Sequence, residues 1–166
     1  MADYSLAQRF ALIHVPCNTF STLPEATRQK TLQRARSHLL PAGLFAASLP
    51  NPVIMARLPL RSDAEIDDSF NDPVSGDPVQ VSSAWVRSAK VLTIRWNYDH
   101  LFPDGRVERS ITEVRHWIGS VESYRAEIIS AGFQIVAEYG DYDRSSYTQE
   151  SPNWIALASI STQTFQ

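Results

Sequence analysis

Two short apolar runs joined by a helical stretch constrain this chain more than any other feature. Phe10 to Val15 (FALIHV) is a mostly apolar run closed by Pro16-Cys17-Asn18, and Leu44 to Leu49 (LFAASL) is a second. Such runs suit strands buried on both faces of a parallel sheet. The segment between them has a legible helix start, with Thr22 as N-cap, Pro24 in the first turn and Glu25 at the capping-box position. Leu32, Ala35 and Leu39 recur at helical spacing as a buried stripe, and Pro41-Ala42-Gly43 is the stop. Strand, helix and strand with short joints is the pattern of a right-handed parallel crossover. The expected fold class is therefore α/β.

The pattern then changes. From Pro50 to Pro78, Pro, Asp and Ser dominate and periodicity fades, which predicts a long loop with room for a short helix. Val79, Val81, Ser83 and Trp85 alternate with other residues, and Leu92, Ile94, Trp96 and Tyr98 form a cleaner period-2 face. Pro103-Asp104-Gly105 is a turn signal, so Arg106 to Trp117 is expected to return as a third antiparallel strand. Ser120 can cap a helix whose face is Val121, Tyr124, Ile128 and Ile129, with Gly132 as its stop. Phe133 to Ala137 and Trp154 to Ala158 read as closing strands. The expected organisation is a single domain: strand-helix-strand over 1–49, loop over 50–78, antiparallel β insert over 79–117, helix and hairpin over 118–166.

Composition excludes several classes of function. A formal charge of -3 gives no basic field for nucleic acid or an anionic membrane. No apolar run approaches the roughly 20 residues of a spanning helix. Met1-Ala2-Asp3-Tyr4-Ser5 has neither the basic region nor the apolar stretch of a signal peptide, so the expected location is the cytoplasm. Cys17 is the one cysteine, which rules out an internal disulfide. His14 and Cys17 are spaced like two metal ligands, but no second pair completes a site, and none is expected.

Phe10-ALIHV-Pro16-Cys17-Asn18-Thr19-Phe20, followed by Arg34-Ala35-Arg36-Ser37-His38-Leu39-Leu40-Pro41-Ala42-Gly43-Leu44, resembles the fourth strand, following helix and fifth strand of class I S-adenosylmethionine-dependent methyltransferases. Ala42 stands where that family's L-x-P-G-G has its first glycine. Ala131-Gly132-Phe133-Gln134-Ile135-Val136, then Tyr139-Gly140-Asp141-Tyr142-Asp143 and Ser151-Pro152-Asn153-Trp154-Ile155-Ala156, is similar to the family's last helix and closing hairpin. The central antiparallel strands look like the insert that many small-molecule members place over the acceptor site. The resemblance implies a partial Rossmann-like methyltransferase sheet with an antiparallel β insert. Its N-terminal half is missing: the chain's 6 glycines include no G-x-G, the turn where the family's backbone approaches the cofactor. Met1 to Tyr4 look like the end of the family's D-M-x-D-F stretch, so the expectation is a C-terminal half, inactive alone.

What the resemblance implies for the site follows from this placement. S-adenosyl-L-methionine would touch Ala2 and the strand end at Val15, Pro16 and Asn18, since ligands sit outside the carboxyl ends of parallel strands. A small-molecule methyl acceptor would lie between this edge, the insert and the loop at Tyr139 to Tyr142, lined by Trp85, Arg87 and Tyr142, with His116 as catalytic base. Each residue also has a structural reading: His116 as a satisfied strand-end histidine, Trp85 as core, Arg87 as a solvated charge, and Asp141 and Asp143 as turn residues beside Gly140. Without the partner that the family's central strand supplies, Phe10 to Val15 would be an apolar edge open to self-association or a partner chain. Two other readings stay open, a non-catalytic methyltransferase-like regulatory subunit and an unrelated α+β small-molecule-binding domain.

Overall fold

The parallel crossover is present in the computed structural model, which describes residues 3–161. Strand β1 (Phe10–Val15) pairs in parallel with β2 (Leu39–Pro50), with Ile13 against Phe45 and Val15 against Ala47. The helix between them starts later than its capping pattern suggests. A short α1 (Thr19–Thr22) comes first, and the Thr22 hydroxyl donates back to the Thr19 carbonyl at 2.8 Å. Pro24 is the residue before α2 (Glu25–His38), and its carbonyl accepts from the amides of Thr27 and Arg28. Pro41-Ala42-Gly43 is an irregularity inside β2, whose register jumps from Phe10–Leu39 to Leu12–Leu44. A side chain at Gly43 would meet the Phe10 carbonyl at 3.0 Å, so the close approach of the two strands there favours glycine.

The chain divides into two units, one built from the residues up to Arg57 and from Trp117 onward, the other from Leu58–His116. In the first, α3 (Pro52–Arg57) follows β2. Helix α4 (Val121–Ser130), β7 (Phe133–Tyr139) and β8 (Asn153–Ile160) complete it. The sheet order is β1-β2-β8-β7, with β8 antiparallel to both neighbours. Ser120 caps α4 through a reciprocal box with Ser123, and Gly132 ends the helix turn at a φ of 85°.

Phe45, Ala47 and Leu49 of β2 stand beside Ala158, Ala156 and Trp154 of β8 on one face of this sheet. Leu32 and Ala35 of α2, Phe20 of α1, and Tyr124 and Ile128 of α4 cover that face, all of them buried. The small alanines of β8 leave room for a run of ring contacts through Phe133, Phe45, Phe20, Tyr124 and Trp154. Two expectations need correction. Ile129 of α4 is 57% exposed, one position off the buried stripe of Val121, Tyr124 and Ile128. Strand β1 is not buried on both faces: Ala11, Leu12 and His14 are exposed, because the helices pack on a single face of the sheet.

The second unit is an antiparallel sheet of order β3-β4-β5-β6, formed by β3 (Glu65–Asn71), β4 (Pro78–Arg87), β5 (Val91–Leu101) and β6 (Val107–Trp117). The three expected strands are there, and so is the turn at Gly105 with φ 84°. The loop expected over 50–78 had room for a short helix, which is α3, and is corrected in one respect, since it also contains strand β3. Strand β3 (EIDDSFN) is exposed throughout, so side-chain alternation leaves no trace in its sequence. Its backbone pairing and a tight turn hold it, in which Asp72 Oδ1 accepts from the amides of Val74 and Ser75.

Arg28 ties the helical layer together. Its guanidinium donates to both Glu127 oxygens at 2.6 and 2.7 Å and to the Leu23 carbonyl at 2.6 Å. The side chains of the pair are only 7% and 10% exposed. Arg28→Ala strands a buried carboxylate and should lower the unfolding free energy by about 3–5 kcal/mol in denaturant titration. Arg28→Met combined with Glu127→Leu should recover most of that loss; equal losses in the single and double variants would contradict this account.

Candidate functional site at the carboxyl edge of the sheet

Because β7 is antiparallel to β8, and β8 to β2, the strands β1, β2 and β7 all run the same way. Their carboxyl ends therefore lie along one edge, where α/β sheets open a crevice. Val15 closes β1 as a buried residue, and the chain then turns through an exposed Pro16 into two left-handed residues, Cys17 (φ 54°) and Asn18 (φ 59°). Non-glycine residues in this region cost about 1–3 kcal/mol each, and asparagine tolerates it better than cysteine. The Asn18 carbonyl accepts from the Ser21 amide at 3.3 Å and the Ser21 hydroxyl at 2.8 Å. Its side-chain Oδ1 is buried and has no hydrogen-bond partner. A buried acceptor left without a donor costs about 1–3 kcal/mol, and this one sits just past the carboxyl end of β1.

The next strand end is organised differently. Ser48 lies one residue beyond Ala47, the partner of Val15. Its hydroxyl accepts from the Tyr142 hydroxyl at 3.1 Å, which brings the expected acceptor residue Tyr142 to the same edge. The Tyr142 residue is 65% exposed. Asn51, fully buried, was missed by sequence reasoning. Its Nδ2 donates to the carbonyls of Thr148, Gln149 and Ser151, and its Oδ1 accepts from the Val53 amide and the Tyr147 hydroxyl. The signal available in the sequence is the Asn51-Pro52 pair, an asparagine before a proline at a helix start, inside the segment expected as a loop. Burial is the main reason the Tyr147 phenol is pushed above its usual range.

The remaining expected site residues lie in the second unit, apart from Ala2, which is outside the described residues. Arg87 Nε donates to the Leu58 carbonyl at 2.8 Å and Nη1 to the Ser88 carbonyl at 3.4 Å, so its guanidinium braces the main chain. Trp85 donates from its indole nitrogen to the Pro59 carbonyl at 3.3 Å. His116 is 7% exposed, and burial holds its imidazole below the ordinary histidine range. Burial thus favours the neutral imidazole and opposes its protonation. Among the described residues no group of three or more His, Cys, Asp and Glu side chains is placed to hold a metal, and no helix is long and apolar enough to cross a membrane.

No protein-family profile matches the chain, and no curated protein matches it in sequence. Solved structures do. A S-adenosylmethionine-dependent methyltransferase from Clostridium acetobutylicum superimposes with a TM-score of 0.79 at 11% identity, over 96% of this chain and 61% of that one. The CcbJ methyltransferase from Streptomyces caelestis gives 0.76 at 18% identity, over 97% and 61%. CalS10 from Micromonospora echinaspora, an amino pentose methyltransferase solved with its cofactor bound, gives 0.71 at 14% identity, over 96% and 62%. The fold is thus methyltransferase-like α/β, and the chain spans about six-tenths of the length of these structures.

The buried His116 generates a pH prediction. Its pKa is lower folded than unfolded, so between the two values the unfolded chain binds more protons. Stability should be fully present above about pH 6.5 and decline on acidification below it, by at most about 1.4 kcal/mol per pH unit. Denaturant midpoints measured across this range should decline less steeply for His116→Gln; identical profiles would show that His116 contributes nothing to the slope.

Proposed function

We infer that this chain is the C-terminal portion of a S-adenosylmethionine-dependent methyltransferase acting on a small molecule, and that it is inactive alone. The observation that carries this reading is the unpartnered Asn18 oxygen, buried at the carboxyl edge of a sheet with the methyltransferase fold. A hydroxyl or amino hydrogen of the cofactor meets the need of that acceptor, so the residues present fit the group. When bound, S-adenosylmethionine supplies a methyl on a sulfonium, whose carbon–sulfur bond breaks as the acceptor's lone pair takes the carbon. Val15 and Pro16 offer main chain beside it, and Asn18 accepts a hydrogen bond. Tyr142, held at the same strand edge by the Ser48 hydroxyl, supplies aromatic surface beside it.

The test is an amide NMR titration of the folded chain with S-adenosylhomocysteine. Shifts confined to the β1 end, with a dissociation constant of about 1 mM, are expected for a partial site. Asn18→Gly should abolish them while leaving the chain about 1 kcal/mol more stable, since the orphan acceptor is gone. Shifts elsewhere, or tight stoichiometric binding to the chain alone, would overturn the reading.

The position of β1 at the edge of its sheet favours a related second reading, a regulatory subunit that docks through this strand. Leu12, 53% exposed on that strand, adds apolar surface to a row of open backbone groups. In sedimentation the chain should self-associate, and Leu12→Lys should shift it toward monomer at the same concentration. A monodisperse monomer for the unaltered chain would remove the docking role.

A further inference from the structure

A cavity of about 410 Å³ lies wholly within the first unit, walled by α3, the start of α4 and the loop after β7. Val53, Ala56 and Val121 give it an apolar side, and Arg57, Tyr147 and Gln149 a polar one. We propose that this cavity binds a small organic anion, with its apolar body against Val53, Ala56 and Val121 and its carboxylate on Arg57. The proposal is independent of the methyl-transfer reading, because nothing in it involves an adenosyl compound.

The charges around the cavity single out Arg57. Arg125, which also lines it, is engaged by Glu138 at 2.8 Å and Glu122 at 3.5 Å. Glu122 is turned back on its own helix: its own amide, the Ser120 hydroxyl and Arg125 hold its carboxyl below the usual range. The first turn of α4 is thereby occupied by this carboxylate and by the Ser120–Ser123 box, so the helix end is not the anion's receptor. Arg57 differs. Among the described residues it has no ion pair, and its one hydrogen bond is Nη2 donating to Gln149 Oε1 at 3.4 Å. A guanidinium has five donors in a planar fork that matches a carboxylate. Here most of that fork faces no protein acceptor.

The walls are held in place before any ligand arrives. Asn51 fixes the start of α3 through the Val53 amide and fixes the opposite loop through three carbonyls and the Tyr147 hydroxyl. One fully buried side chain thus sets the separation of the two sides. A ligand entering need not order the loop, which removes a main cost of binding. The cavity volume accommodates a single ring with an acidic substituent, within the range of small-molecule sites.

The experiment is a saturation-transfer NMR titration of the full chain with sodium benzoate, with benzyl alcohol as the neutral counterpart. Benzoate should bind with a dissociation constant of about 1 mM, and benzyl alcohol about fivefold more weakly. Arg57→Gln, at an exposed position, should weaken benzoate about fivefold and leave benzyl alcohol unchanged. Ala56→Trp, also at an exposed position, should fill the cavity and remove both signals with the circular dichroism of the chain unaltered. Absence of benzoate binding, equal affinity for the two probes, or an Arg57→Gln variant that binds benzoate unchanged would overturn the proposal.

Discussion

The buried pair of Arg28 and Glu127 is the contact on which the helical layer depends. Two parallel charge-assisted bonds of 2.6 and 2.7 Å join α2 to α4, a third bond holds the Leu23 carbonyl between α1 and α2, and the guanidinium lies 4.9 Å from the Tyr124 ring centre. Three helices are thus referred to one side chain. Tyr124 in turn donates its hydroxyl to the Trp117 carbonyl at 2.7 Å and stacks toward Trp154, whose indole donates to Glu138 at 2.6 Å. The polar tips of the buried aromatics are satisfied at the rim of the core, so the rings can remain in it without desolvation cost.

That arrangement also explains why the sheet is one-sided. Every helix of the first unit that enters the core cluster does so on the face of Phe45, Ala47 and Leu49. The opposite face keeps Leu12 and His14 exposed on β1, with Ala46 and Leu157 only half-buried. A parallel pair such as β1 and β2 is ordinarily covered on both sides. The solved structures it resembles extend well beyond the part it matches, which accords with a sheet that carries one covered face and one open edge.

The sequence made some elements plain because their signals were local. Ser120 and Gly132 bracket α4 by capping and by a positive φ, and both interactions are independent of the rest of the chain. The parallel crossover was legible because its strands are dense in apolar residues. Strand β3 was illegible for the converse reason: its stability comes from backbone pairing with β4, and its acidic side chains face water. Arg87 illustrates the limit at the site. It was expected to line the acceptor, but its guanidinium donates to the Leu58 carbonyl 29 residues away and to the adjacent Ser88 carbonyl, and no spacing rule announces the first of these.

The two asparagines at the carboxyl edge argue most directly for where ligands belong. Asn51 and Asn18 both follow strand ends, and both have side-chain oxygens removed from solvent. Every polar atom of Asn51 that the fold can satisfy is satisfied, with three donor contacts and two acceptor contacts, as expected of a residue whose purpose is to hold a loop. Asn18 has the same chemistry and no partner for its oxygen, in a left-handed backbone that adds its own cost. A folding role would favour glycine at that φ, with no acceptor to bury. On the function proposed above, the amide is retained there because the ligand supplies its donor. The edge therefore combines a rigid part, built by Asn51, with an incomplete part at Asn18, and the incomplete part is where recognition is to be sought.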